Sequence, residues 1–329
     1  MNAHDISSNG LHRPIPGRPR GRLAPSPTGY LHLGNARSFL LAWLQMRSAG
    51  GEIVLRIEDL DQARAVPNGA ARIVEDLEWL GLDWDNDLSP DFVQSNRLPI
   101  YRDAISRLMD RDLLYECFCS RRELRGIANA PHGSAGDYYD GSCRRLTPEE
   151  RLERRAAKEP ALRFIVPDGT IVTFTDLVAG TVREDLSRTT GDFIVARADG
   201  VPGYQLAVVL DDIAMGITHV LRGDDLLAST PRQILLHRTF NAEPPAYAHV
   251  PLILGADGAR LAKRHGSLSL AELRAAGVPA ASVVGWLASS CGLRPTPAPC
   301  MPRGLVEGFS PASIVRSPTA INGEIAFRR

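Results

Sequence analysis

Arg22-Leu23-Ala24-Pro25-Ser26-Pro27-Thr28-Gly29-Tyr30-Leu31-His32-Leu33-Gly34-Asn35-Ala36-Arg37 joins a short apolar run to a Pro/Gly-rich turn and then to a helical pattern. That order predicts a strand, a tight loop and a helix N-terminus. Such a junction aims backbone N–H groups and the positive end of a helix dipole at one place, which suits the phosphates of a nucleotide. The loop is not a P-loop, because no Gly-rich run closes in Gly-Lys-Ser/Thr, and Gly-x-Gly-x-x-Gly is absent as well. Instead His32 offers an imidazole donor, and Gly34 leaves the backbone beside it without a side chain, so that ATP could approach closely.

Outward from this stretch, Ala36, Leu40, Trp43 and Leu44 follow helical spacing until Gly50-Gly51 ends the pattern. Ile53-Val54-Leu55-Arg56-Ile57 then reads as a buried strand, giving a βαβ unit with parallel strands. Glu58-Asp59 falls at the carboxyl end of that strand, where ligands of open α/β sheets bind. Helical patterns over residues 70–80 and 101–114 are expected to serve core packing. From residue 115 to 191 the pattern changes to short strands and turns, including Phe164-Ile165-Val166, Pro167-Asp168-Gly169 and Ile171-Val172, which predicts a hairpin-bearing insertion. Strand character resumes at 192–197, and an apolar run over 204–210 ends in Asp211-Asp212. A strand at 218–221 and a helix at 226–240 form a second strand-helix unit. Residues 1–20, rich in Pro, Gly and Arg, read as a disordered tail. Beyond residue 264 the chain has one clear apolar helix, at 281–287, and is Pro-rich from Arg294 on.

A length of 329 residues predicts about two domains. The 38 basic and 38 acidic side chains cancel, so any contact with nucleic acid must rest on a local patch. There is no run of 18 apolar residues and no apolar signal core, so the chain is expected to be cytoplasmic. Five cysteines, an odd number, argue against a disulfide framework. Cys117-Phe118-Cys119 and the later Cys143 could supply three thiolates of a closed tetrahedral zinc site, for which His132 is the conventional fourth ligand on chemistry alone. Cys291 and Cys300 read as inert thiols. Only two of the basic side chains are lysines, Lys158 and Lys263. An ammonium retained amid so many guanidinium groups suggests a place where a compact point charge is needed.

The stretch from Arg22 resembles the His-Ile-Gly-His region of class I aminoacyl-tRNA synthetases, and Arg-Leu-Ala-Pro-Ser-Pro-Thr-Gly is similar to the glutamyl branch. Asn35 stands where the second histidine of the signature would be, which leaves His32 as the main donor to phosphate. Gly258-Ala259-Arg260-Leu261-Ala262-Lys263-Arg264-His265-Gly266 resembles the Lys-Met-Ser-Lys-Ser loop, with Lys263 matching its second lysine. Arg260 and Arg264 depart from that pattern. The resemblance, over about residues 21–275, implies an α/β fold: a Rossmann-type parallel sheet, a zinc-binding insert and a short helical C-terminal segment. The expected divisions are 1–20, 21–114, 115–191, 192–275 and 276–329.

The resemblance also implies site residues. His32 and Lys263 would be catalytic, and with Gly34 and Asn35 would bind ATP, accompanied by magnesium. Arg22, Leu23, Ala24, Pro25, Ser26, Glu58, Tyr204 and Arg222 would bind L-glutamate, the arginines facing a carboxylate and Glu58 an ammonium. Cys117, Cys119 and Cys143 would hold zinc with Tyr139 in preference to His132. The implied reaction is activation of glutamate by ATP. The segment after the basic loop has no room for an anticodon-binding domain of typical size. In this the chain is similar to short glutamyl-synthetase-like proteins that transfer glutamate to queuosine in the anticodon loop of tRNA(Asp), and a monomer is expected. Two alternatives stay open: charging of the tRNA 3′ end, and a catalytically silent RNA-binding paralogue.

Overall fold

In the computed structural model, the described residues are 15–120, 123, 138–255, 257, 269–320 and 327. Strand β1, Arg20–Leu23, and strand β2, Glu52–Leu55, pair in parallel with Arg20 opposite Glu52 and Leu23 opposite Leu55. Helix α1, Leu33–Ser48, connects them, as the βαβ pattern predicts. The first twenty residues were expected to be a disordered tail, yet Arg20 opens β1. Its guanidinium meets Glu52 at 2.6 Å and donates to the Met215 carbonyl at 2.8 Å, so a basic residue is drawn into the sheet by a partner for each edge. Helix α1 begins at a reciprocal cap in which His32 and Asn35 exchange side-chain and backbone bonds. It is buried almost all round, from Leu33 and Ala36 to Leu40, Leu41, Trp43 and Leu44. A helix apolar on every side needs cover on every side.

Helix α2, Gly69–Trp79, keeps its expected place. Helix α3, Leu98–Met109, ends before the expected residue 114, because Leu114–Cys117 is already strand β3. Helix α4 covers Pro148–Ala157. Strand β4, Ala161–Phe164, lies between β3 and a later strand in an antiparallel sheet. The insertion does carry a hairpin, formed by β5, Ile171–Asp176, and β6, Gly180–Asp185. Pro167-Asp168-Gly169 is not its turn but the link from β4 to β5. After the short helix α5, Leu186–Thr189, strand β7, Phe193–Ala196, completes the antiparallel sheet.

The apolar run at 204–210 is helix α6, Tyr204–Ala214. Strand β8, His219–Gly223, joins the first unit, since the Thr218 N–H donates to the Arg20 carbonyl at 2.8 Å. The helix expected at 226–240 is split: Asp224–Ser229 is a 3₁₀ turn, and α7, Thr230–Thr239, starts with Pro231 in its first turn. Strand β9, Ala246–Val250, pairs in parallel with β8. Strand β10, Ile253–Leu254, is followed by α8, Leu270–Ala275, and α9, Ala280–Ser290.

The C-terminal segment is more than one helix and a tail. Pro302 and Ile314 are buried, and strand β11, Thr319–Ala320, pairs in parallel with β10. Arg37 of α1 secures the arrangement by donating to Thr319 Oγ1 at 3.1 Å and to the Pro251 carbonyl. Among the described residues no helix is long and apolar enough to cross a membrane.

Candidate active site

The loop after β1, Glu58 in the segment beyond β2, the first residue of α6 and the end of β8 converge on one cavity of about 640 Å³. Its walls include Arg22, Ala24, Pro25, Ser26, His32, Gly34, Asn35, Glu58, Tyr204 and Arg222, so residues far apart in sequence share a single site. Leu23 is not among them. Alternate side chains of a strand point to opposite faces, and Leu23, fully buried, packs into the apolar core under α1. Lys263 and the rest of its basic loop, like His132, lie outside the described residues.

His32 is oriented by the helix it caps. Its Nδ1 accepts the Gly34 N–H at 3.1 Å. In the neutral ring this leaves the proton on Nε2, so the far edge of the imidazole is a donor. Gly34 has a second reason to lack a side chain, one the sequence did not reveal. A Cβ there would stand 2.9 Å from His32 Cε1 and 3.1 Å from Nδ1, and the ring would have to move. Asn35, expected to face phosphate, uses its Oδ1 to accept the His32 N–H at 3.3 Å.

The charged wall is a buried network. Arg22 is 6% exposed, its Nε lies 3.6 Å from Asp212 Oδ1, and that Nε makes no hydrogen bond. Arg222 is equally buried, and its NH1 also has no hydrogen-bond partner. Glu58 accepts from Arg56 at 2.9 Å, while Arg56 donates to Asp212 at 2.7 Å and lies 3.8 Å from Asp211. Asp211 in turn accepts from Arg97, Gln94 and Tyr101. Burial lowers the pKa of Arg22, with the Arg56 and Arg222 charges adding to it and Asp212 opposing. Burial raises Glu58 despite Arg56 and Arg22. For Asp212 burial acts upward too, but Arg56 and Arg22 outweigh it and hold the carboxyl below its usual range. Sequence reasoning missed Arg56, Asp211 and Asp212 as parts of the site. The signal available was a pair of acids closing an apolar run, which in a buried helix demands cationic partners.

Away from this cavity, the Sγ atoms of Cys117, Cys119 and Cys143 all lie within 4.8 Å of one another and could hold a metal ion. The Tyr139 hydroxyl is 3.6 Å from Cys117 Sγ and from Cys119 Sγ, and it accepts the Cys143 N–H at 2.9 Å. Tyr139 can come this close because Gly191 pairs with it at φ +65°, where an added Cβ would overlap the Tyr139 carbonyl. Arg163, not singled out in the sequence, stacks over the Tyr139 ring at 3.7 Å and donates to Cys117 Sγ at 3.2 Å. Bonds from Cys119 and Cys143, with the Arg163 charge, bring the Cys117 thiol well down.

Comparison with known proteins gives these features a family. The model of tRNA synthetases class I (E and Q), catalytic domain, matches residues 19–294. A glutamyl-Q tRNA(Asp) synthetase of Symbiobacterium thermophilum is 55% identical, over 92% of this chain and 96% of that protein. One of Nitratidesulfovibrio vulgaris is 48% identical, over 94% of this chain and 97% of that protein. A crystal structure of a glutamate tRNA ligase from Elizabethkingia meningosepticum, in complex with its amino acid, superposes with a TM-score of 0.79 at 27% identity, covering 93% of this chain and 67% of that one.

Proposed function

This chain belongs to the class I tRNA synthetases (E and Q), and from that premise we propose that it activates L-glutamate with ATP and transfers it to queuosine of tRNA(Asp). The observation that carries the first half is one cavity lined by two buried guanidinium groups, Arg22 and Arg222, together with Glu58, in which Arg222 NH1 has no hydrogen-bond partner. Unpaired buried donors of charged groups are costly. A ligand bringing a carboxylate to them and an ammonium to Glu58 removes that cost, and glutamate does both.

In the proposed reaction an oxygen of the glutamate α-carboxylate attacks the α-phosphorus of ATP. The bond to the bridging oxygen breaks, pyrophosphate leaves with its electron pair, and glutamyl-adenylate remains. His32, with its donor edge fixed by Gly34, would stabilise charge on the phosphates, and Lys263 would serve the same end from the basic loop. Magnesium would accompany ATP as part of the substrate. A hydroxyl of queuosine then attacks the acyl carbon and displaces AMP. The parallel pairs β1–β2 and β8–β9 with their linking helices are consistent with a Rossmann-type core that positions these groups.

The thiol cluster fits zinc. Sulfurs at tetrahedral zinc with bonds of about 2.3 Å stand about 3.8 Å apart. Cys119 and Cys143 are 3.5 Å apart, and the Tyr139 oxygen is 3.6 Å from two of the three sulfurs. Cys117, Cys119, Cys143 and Tyr139 would hold the ion, whose contribution is structural, fixing the insertion's fold. The N–H of Phe118, donating to Cys143 Sγ at 3.4 Å, and Arg163 would support the thiolates from outside.

Incorporation of labelled glutamate tests the acceptor. Labelling is expected on tRNA(Asp) with queuosine even after enzymatic removal of its terminal adenosine, and none on tRNA(Asp) with guanosine at the wobble position. The second reading, charging of a tRNA 3′ end, draws support from the likeness to glutamate tRNA ligases in sequence and in structure. Labelling of tRNA(Glu) that requires the terminal adenosine would establish it instead.

A further inference from the structure

Arg222 lines the cavity with one nitrogen, NH1, lacking a hydrogen-bond partner, while every other edge of its guanidinium is held. Its Nε donates to His249 Nε2 at 3.0 Å, and its NH2 donates to Thr230 Oγ1 and Gln233 Oε1, both at 2.8 Å. Behind His249 stands Asp176, whose Oδ2 is 2.7 Å from His249 Nδ1. Asp176, His249, Thr230 and Gln233 are all buried. The proton of His249 must therefore sit on Nδ1, facing the carboxylate, so that Nε2 offers a lone pair to Arg222; the other tautomer would set two N–H groups against each other. The remaining oxygen of Asp176, Oδ1, accepts from Val178 N at 2.9 Å and Ala179 N at 2.8 Å, in the turn of the β5–β6 hairpin, and from His249 N at 3.1 Å. A turn of the insertion is thus joined through two side chains to the cavity wall.

We propose that Asp176 and His249 are positioning residues that fix the ring tautomer, and through it the rotamer of Arg222, so that its NH1 meets the ligand carboxylate. The inference rests on the reading of the cavity as a glutamate site. Neither residue touches the ligand; both act through Arg222. Gln205 extends the support, its Oε1 accepting from Gln233 Nε2 at 2.9 Å while its own Nε2 donates to Ser229.

Asp176→Asn is the sharp variant. Its amide oxygen can still accept the backbone N–H groups at the hairpin turn, but its NH2 now faces Nδ1 and forces the proton to Nε2, against Arg222. In ATP–pyrophosphate exchange the KM for glutamate is expected to rise roughly ten- to hundredfold, the loss of a buried hydrogen bond to a charged group, with the KM for ATP unchanged. His249→Leu, which removes the acceptor, should do the same. His249→Gln should recover part of the loss, because its amide oxygen can accept from Arg222 and its NH2 can donate to Asp176. If Asp176→Asn fails to fold, as judged by metal content and melting, the leucine and glutamine variants decide alone. A wild-type KM for glutamate in Asp176→Asn or His249→Leu, or equal changes for glutamate and ATP, overturns the relay while leaving the function standing. No exchange by the wild-type protein with glutamate overturns the function and the relay with it.

Discussion

His32 and Gly34 act as one unit at the scale of single residues. The imidazole is held by the Gly34 N–H, and its ring occupies the space a side chain at that position would need. Gly34→Ala should therefore behave as a displacement of His32. Pyrophosphate exchange is expected to fall by about 10²- to 10³-fold in His32→Ala, the usual cost of losing one preorganised donor. Gly34→Ala should approach that loss with little change in melting temperature; near wild-type exchange in it would show that the ring is free to move aside. The sequence made these residues visible but gave Gly34 only the role of clearing space for ATP. Arg22, Glu58, Tyr204 and Arg222 were legible because they sit in or beside recognisable motifs. Arg56, Asp212 and the Asp176–His249 pair were not, since each matters through a partner 27 to 190 positions away, and no local pattern records which buried cation meets which buried anion.

At the scale of elements, local signals were read well and long-range pairing was not. The start of α1 after the Pro/Gly turn, the Gly stop after it and the βαβ order follow from short-range chemistry. The antiparallel sheet β3-β4-β7 joins strands on both sides of α4 and of the hairpin, so the predicted helix ran over the first residue of β3, Leu114, and the last strand was placed outside the insertion. The thiol cluster depends on this sheet, because Cys117 ends β3 and Arg163 of β4 reaches its sulfur. Cys117→Ser or Cys143→Ser is expected to abolish stoichiometric zinc, and Tyr139→Phe to weaken it, as read by metal analysis after dialysis against a chelator. His132→Ala should leave the metal in place. If the histidine change strips the metal and the tyrosine change does not, the ligand set is wrong.

Stability belongs to the whole molecule, and one group gives it a readable pH dependence. Asp76 of α2 has a side chain 2% exposed, lies 3.8 Å from Arg274 of α8, and is pushed up by burial from 3.8 to about 6, with Arg274 opposing and Glu75 adding to the rise. A carboxyl raised on folding binds more protons in the native state. Its favourable contribution is complete below the unfolded pKa of 3.8 and is lost as pH rises through about 6. The difference in unfolding free energy between wild type and Asp76→Asn should move against the wild type by roughly 1–3 kcal/mol between pH 4 and 7. Urea titrations of both proteins across that range measure it, and a flat difference would contradict the assignment. The packing of the C-terminal segment was the largest feature the sequence hid, because a Pro-rich stretch with little periodicity gains its place only by meeting α1 and β10. The ion pairs from Arg22 and Arg56 to Asp212 have a further consequence, since they join residues on either side of the insertion and hold Arg22, which lines the cavity. The cost of stripping water from charges falls on heating, whereas apolar burial reaches a plateau. A site whose wall is held by buried ion pairs should thus keep its shape toward the upper end of the protein's thermal range, and the fit for its ligand should fade late, with global melting, and not before it.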